Sequence, residues 1–124
     1  MTNPAALQNS PLIIISRAPY DGSLARGALD AAMSFAVFGR QPKLLFSGAG
    51  ALCLANRNPT STLGRKSVRK VVDSLPLYDV DEVFVEASAL ASFNISSDEM
   101  PEFATVLDSA AIKLLQVDRL IVSF

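Results

Sequence analysis

Three short apolar runs constrain this chain more than any other feature: Leu12-Ile13-Ile14-Ile15-Ser16, Lys43-Leu44-Leu45-Phe46, and Val83-Phe84-Val85 within the stretch from Val80 to Leu90. None alternates apolar with polar residues. That is the pattern of strands buried on both faces, with helices covering a parallel sheet on either side. Helical periodicity separates the runs. Leu24, Ala28, Ala31, Phe35 and Phe38 recur at three- and four-residue steps behind Ser23, a fair N-cap, and Gly39 and Pro42 end the pattern. Val68, Val71, Val72 and Leu75 give one apolar face to a helix expected over Arg65 to Leu75. Further on, Phe103 to Leu107 reads as a fourth strand, Asp108 or Ser109 caps a helix reaching Gln116, and Arg119 to Phe124 closes the chain as a fifth strand. The expected fold is α/β: a single-domain, flavodoxin-like three-layer sandwich around a mostly parallel five-stranded sheet, order 2-1-3-4-5. Residues 1–11, polar with two prolines, form a flexible lead-in, and 12–124 form the domain.

Composition narrows what such a domain does. Hydrophobic residues make up 50% of the chain and the mean hydropathy is +0.33, yet no apolar run approaches the roughly 18 residues of a membrane helix. A subunit interface is the expected destination of the excess. A net charge of -1 gives no global attraction for nucleic acid, so no direct nucleic-acid contact is expected. The chain has no histidine, which removes the commonest general base and zinc ligand; neither a metal nor a cofactor is expected. With one cysteine there can be no internal disulfide, and the N-terminus lacks a signal-peptide pattern, so the expected compartment is the cytoplasm.

In an open α/β sheet, chemistry gathers beyond the carboxyl ends of the strands. Glu86 to Phe93 therefore comes first, and it offers hydroxyls and one carboxylate but no thiol, imidazole or amine. Glu86 has no partner visible in the sequence. Asp79, Asp81 and Glu82 belong to the amino end of the strand, where salt bridging or solvent exposure is the expected role. Cys53 is the one soft nucleophile. Between Leu52 and Leu54, with no base or cation nearby in sequence, it reads as a packing residue; a reactive thiol is the alternative. Gly48-Ala49-Gly50 hints at a phosphate loop, but Cys53 stands where a dinucleotide fingerprint wants a small residue, so a tight turn is the favoured reading. The loop from Ser16 to Ser23 occupies the flavin-phosphate position of flavodoxins, but Arg17, Pro19, Tyr20 and Asp21 make it a poor phosphate cradle; an anion contact by Arg17 or the Gly22 backbone stays open. Arg65, Lys66, Arg69 and Lys70 form a basic cluster without interleaved aromatics, read as a solvated helix face rather than a phosphate site.

Three stretches together resemble the DsrE/DsrF/DsrH family of small sulfur-relay proteins, specifically its TusC/DsrF branch. They are Ser16-Arg17-Ala18-Pro19-Tyr20-Asp21-Gly22 with Arg26-Gly27-Ala28-Leu29-Asp30-Ala31, Leu75-Pro76-Leu77-Tyr78-Asp79-Val80 running into Val83 to Leu90, and the strand-like ending Val117 to Phe124. The resemblance implies a subunit of a TusBCD- or DsrEFH-like assembly, commonly a dimer of heterotrimers with TusB- and TusD-like chains. Such assemblies pass persulfide sulfur to a TusE-like acceptor and on to 2-thiolation of the tRNA wobble uridine, or act in sulfur oxidation. In the family's catalytic subunits the sulfur-carrying cysteine lies at the end of the central strand. The matching position here looks like Val85, so the resemblance implies a supporting subunit with no catalytic residue of its own, Cys53 remaining the alternative. The turn after the second strand, usually Asp-Gly-Val in that branch, reads Ala49-Gly50-Ala51, so no carboxylate role carries over to it.

Overall fold

A computed structural model of the protein describes residues 10–19, 23–55, 68–117 and 119–124. Its elements are β1 (Leu12–Ile15), α1 (Leu24–Val37), β2 (Lys43–Phe46), a 3-10 helix over Gly48–Cys53, α2 (Val68–Ser74), a 3-10 turn over Leu75–Tyr78, β3 (Val83–Glu86), α3 (Ala87–Ser92), a short 3-10 turn at Ser97–Glu99, β4 (Ala104–Leu107), α4 (Ser109–Gln116) and β5 (Ile121–Ser123). All strand pairs are parallel. No helix among the described residues is long and apolar enough to cross a membrane.

The α/β class and the five parallel strands are those expected. Along the sheet the order is β4-β3-β2-β1-β5, so β1 lies between β2 and β5, where the doubly wound order would place β2 and β3 beside it. The register sets Ile13 beside Leu44 and Val122, and Leu44 beside Val83. This order has a consequence for the layers. Strands one to four step across the sheet in one direction, so right-handed crossovers put α1, α2 and α3 on the same face. The connection from β4 returns across the sheet to reach β5, which sends α4 to the opposite face.

The two faces are buried unequally as a result. Ile13, Ile15, Leu44, Phe46, Val83 and Val85 join Ala28, Leu29, Ala32, Val71, Val72 and Leu75 in one continuous core. On the other face Leu12 and Leu45 are buried, but Ile14 and Phe84 are only half-buried, and α4 has no fully buried residue. The apolar runs promised cover on both sides, and the protein covers one side much better than the other.

Local signals explain most element ends. Gly39 takes a left-handed φ of 79° just beyond α1, the conformation glycine adopts without a Cβ penalty. Ser23 sits at the N-cap of α1 without a side-chain hydrogen bond, so the expected cap is there in position only. Asp108 is a working cap, its carboxylate accepting the Ala111 N–H at 2.8 Å. β3 stops at Glu86, and Ala87-Ser88-Ala89-Leu90 coils at once into α3, where small residues let the turn pack close to the sheet. The helix expected over Arg65 to Leu75 is seen as Val68–Ser74, followed by a 3-10 turn that Asp79 closes at φ 63°. Residues 65–67 lie outside the described residues.

Candidate functional site

The carboxyl edge of the sheet brings together Ser16 and Arg17 after β1, Ser47 to Gly50 after β2, Glu86 at the end of β3, and Phe124 after β5. Backbone hydrogen bonds lock this rim. The Ser47 N–H donates to the Ile15 carbonyl at 3.0 Å, the Phe124 N–H to the Ile14 carbonyl at 2.9 Å, and the Ser16 N–H to the Phe124 carbonyl at 3.1 Å. The Ser16 hydroxyl donates to the same Phe124 carbonyl at 2.8 Å.

The two glycines of the turn do different work. Gly48 adopts φ +51°, which disfavours a side chain on its own backbone. Gly50 is confined from outside, since a Cβ there would lie 1.9 Å from the Ile15 carbonyl oxygen. The 3-10 helix therefore rests directly on the end of β1, with Ala51, Cys53, Leu54 and Ala55 all fully buried behind it. The tight-turn reading of Gly48-Ala49-Gly50 thus has a backbone cause, close approach, and the turn is spanned by the carboxylate of Glu86. That side chain accepts the Gly48 N–H at 3.2 Å. Nothing local in sequence announces this bond, because its partners are 38 residues apart.

Val85 and Glu86 divide the end of the central strand between them. Val85 points into the helix-covered core and is fully buried. Glu86, the next residue, turns to the opposite side of the pleat and reaches the turn after β2. Neither is a sulfur nucleophile.

Cys53 is fully buried in the same core. Its thiol lies 3.6 Å from the Arg17 carbonyl, to which it donates. Burial pushes its pKa up to about 12, outweighing a smaller backbone hydrogen-bond effect in the other direction. Desolvation penalises the thiolate, so the protonated form dominates at neutral pH.

The basic cluster separates on inspection. Arg65 and Lys66 lie outside the described residues, and Lys70 is exposed. Arg69 is mostly buried and serves as a tie. Its guanidinium donates to the Leu54 carbonyl at 2.8 Å, to the Glu99 carbonyl, and to Asp73 Oδ1 at 2.9 Å. It belongs to the fold rather than to a solvated face, fastening α2 to the 3-10 helix after β2 and to the turn after α3. At the amino end of the sheet Glu82 pairs with Lys43, the structural role expected of that carboxylate. Of the first loop, Arg17 is exposed, while Tyr20, Asp21 and Gly22 lie outside the described residues.

With this geometry in view, comparison with known proteins is decisive. The profile of the DsrE/DsrF-like family matches residues 10–122. The chain belongs to the DsrE/DsrF-like family. Among curated relatives, a protein described as a TusC homolog from Pseudomonas aeruginosa PAO1 is 32% identical over 111 residues, covering 89% of this chain and 93% of that protein. The crystal structure of the ychN protein from E. coli superposes with a TM-score of 0.73 over 93% of this chain and 99% of that one. At 14% identity that likeness speaks to the fold alone. Within this DsrE/DsrF-like chain, the family match covers β1 to β4 and runs into β5, taking in the rim residues from Ser16 to Glu86.

Proposed function

We propose that this chain is a non-catalytic subunit of a TusBCD/DsrEFH-like sulfurtransferase assembly in the cytoplasm, serving 2-thiolation of the tRNA wobble uridine. Its partners are TusB- and TusD-like subunits in a heterohexamer, which hands sulfur to a TusE-like acceptor. One observation carries the reading: the end of the central strand holds Val85 in hydrocarbon and Glu86 bonded to the Gly48 N–H, leaving no group there to accept sulfur.

The chemistry explains why that matters. In persulfide transfer an acceptor thiolate attacks the outer sulfur of a donor persulfide. A new S–S bond forms, the old one breaks, and the donor leaves as a thiolate, with no net oxidation. The attacking group must be ionised and reachable. Cys53 meets neither condition: with a pKa of about 12 its thiolate fraction near neutral pH is on the order of 10⁻⁵, and its sulfur is sealed in the core. The contribution of this subunit is then mechanical, presenting a partner's cysteine from a rigid sheet.

Co-expression with TusB- and TusD-like chains, followed by light scattering of the purified product, tests the assembly. A stable complex of all three chains is expected; a chain that never co-purifies with them refutes the proposal. Within that complex Cys53→Ala should leave sulfur transfer to the acceptor unchanged. A loss of transfer, with the complex intact, would instead make Cys53 the acceptor.

A further inference from the structure

Helix α4 and strand β5 are held differently from the elements on the well-covered face. There α1 buries Ala25, Ala28, Leu29 and Ala32, and α2 buries Val68, Val71 and Val72. α4 and β5 bury no described residue fully, and Leu114, Val117, Leu120 and Ile121 stay 76%, 59%, 49% and 41% exposed. Of the sheet residues beneath them, Leu12 and Leu45 are buried, while Ile14 and Phe84 are half-buried. Polar bonds supply much of the attachment. β5 is an edge strand that pairs with β1 alone. The Leu12 N–H donates to the Leu120 carbonyl at 2.8 Å, and Phe124 is bonded to Ile14 and Ser16 at the other end. Arg119 closes the amino end like a latch. Its Nε donates to the Leu115 carbonyl at 2.7 Å, and its Nη1 to the Ser10 carbonyl at 3.1 Å and the Ser10 hydroxyl at 2.8 Å. One guanidinium thus fastens the end of α4 to the residue that leads into β1.

We propose that α4 and β5 form a strap that lifts off the sheet as a unit while β1 to β4 and the helices of the other face stay folded. Elements with little buried apolar area open well before the whole molecule does. The hydrogen bonds that hold the strap add little net, because donor and acceptor return to water on release. The latch itself is poised to let go. Among the described residues Arg119 meets carbonyl and hydroxyl oxygens but no carboxylate. It also stands near a second cation. Burial first, and then the Arg119 charge, lower the pKa of Lys43, with Asp81 acting the other way. Lifting the strap uncovers Leu12 and Leu45 and frees the edge of β1, where the Leu12 and Ser16 N–H groups lose their partners. The strap therefore governs access to the second face of the sheet and to a strand-pairing edge. This needs only the chain itself and does not rest on the sulfur-relay reading.

Amide hydrogen exchange of the purified full-length chain, followed residue by residue by NMR, is the test. Amides of α4 and β5 are expected to be at least a hundredfold less protected than those of β2 and β3. Leu12 and Ser16, whose N–H groups bond to Leu120 and Phe124, should exchange with the strap, and Leu44, whose N–H bonds to Glu82, with the core. Two variants separate a lifting strap from general loosening. Arg69→Ala breaks bonds to Leu54 and Glu99 that survive when the strap lifts. It should speed exchange in β2 and β3 at least tenfold and leave α4 and β5 at their wild-type rates. Arg119→Ala breaks the latch in the closed state from which both openings start, so it should speed α4 and β5 about tenfold and the core strands with them. Protection of α4 and β5 equal to that of β2 and β3 overturns the proposal, as does an Arg69→Ala that speeds both regions alike. An Arg119→Ala that leaves α4 and β5 unchanged overturns the latch.

Discussion

Gly50→Ala probes the tightest contact in the carboxyl rim. The new Cβ would sit 1.9 Å from the Ile15 oxygen, 2.7 Å from the Ile15 carbonyl carbon and 3.1 Å from the Ser16 Cα. All three are backbone atoms, so no side chain can swing away. Ordinary contact starts near 3.4 Å, and the two segments must therefore separate by about 1.5 Å. β1 cannot be the one to move, because it is hydrogen-bonded to β2 on one side and β5 on the other. The 3-10 helix has to lift, loosening the Ser47–Ile15 hydrogen bond and the burial of Ala51, Cys53 and Leu54. Overpacking alone costs about 1–3 kcal/mol, and the loosened core adds to it, so a loss of about 3 kcal/mol is expected. For a chain of this size that lowers the melting temperature by roughly 10–18 °C. Gly27→Ala is the matched control: Gly27 lies inside α1 with nothing within 4 Å of its would-be Cβ. There alanine should stabilise by about 0.5–1 kcal/mol. Urea unfolding followed by circular dichroism reads both. A Gly50→Ala midpoint equal to wild type, or a Gly27→Ala that destabilises, would refute the reasoning.

The remaining predictions concern side chains. Cys53 should resist alkylation in the native protein at pH 8 and react fully in urea; rapid native labelling would contradict its burial. Because its folded pKa is raised from 9.0 to about 12, its contribution to stability is complete below pH 9 and is lost as pH climbs from there through about 12. Cys53→Ala should flatten that alkaline slope in urea titrations taken at successive pH values. Arg69→Ala should cost about 2 kcal/mol through the loss of charge-assisted bonds to the Leu54 and Glu99 carbonyls, and Arg69→Lys should recover little, since an ammonium cannot span the same acceptors. Glu86→Ala should cost about 1 kcal/mol by stranding the Gly48 N–H, while Glu86→Gln, which keeps an acceptor, should stay within a few tenths; equal losses would show that the bond is not what Glu86 contributes.

What could be read from sequence was what depends on neighbours in sequence. β1, β2 and the core of β3 announced themselves as apolar runs, and the stop of α1 was visible at Gly39 and Pro42. The placement of β5 against β1 was not legible, because it is decided by contacts between residues more than a hundred apart, such as the Ser16 hydroxyl with Phe124. The same limit hid the partner of Glu86 and the two carbonyls held by Arg69. The half-burial of Phe84 was missed for a different reason. An apolar run says that a strand tolerates cover on both faces, but only the topology fixes how many helices reach each face.

The uneven cover of the sheet and the sealed thiol follow from one feature. Because β1 to β4 advance in a single direction, three helices and the 3-10 helix crowd onto one face, and most of the fully buried side chains point there. Cys53 lies on that crowded side, behind the turn that Gly50 presses onto β1, where burial holds the thiol protonated. Among the described residues the opposite face receives α4 alone, and the apolar residues Leu114, Val117, Leu120 and Ile121 remain exposed. A chain arranged this way keeps its one nucleophile out of reach while leaving apolar surface uncovered. That combination is what the supporting role proposed above draws on.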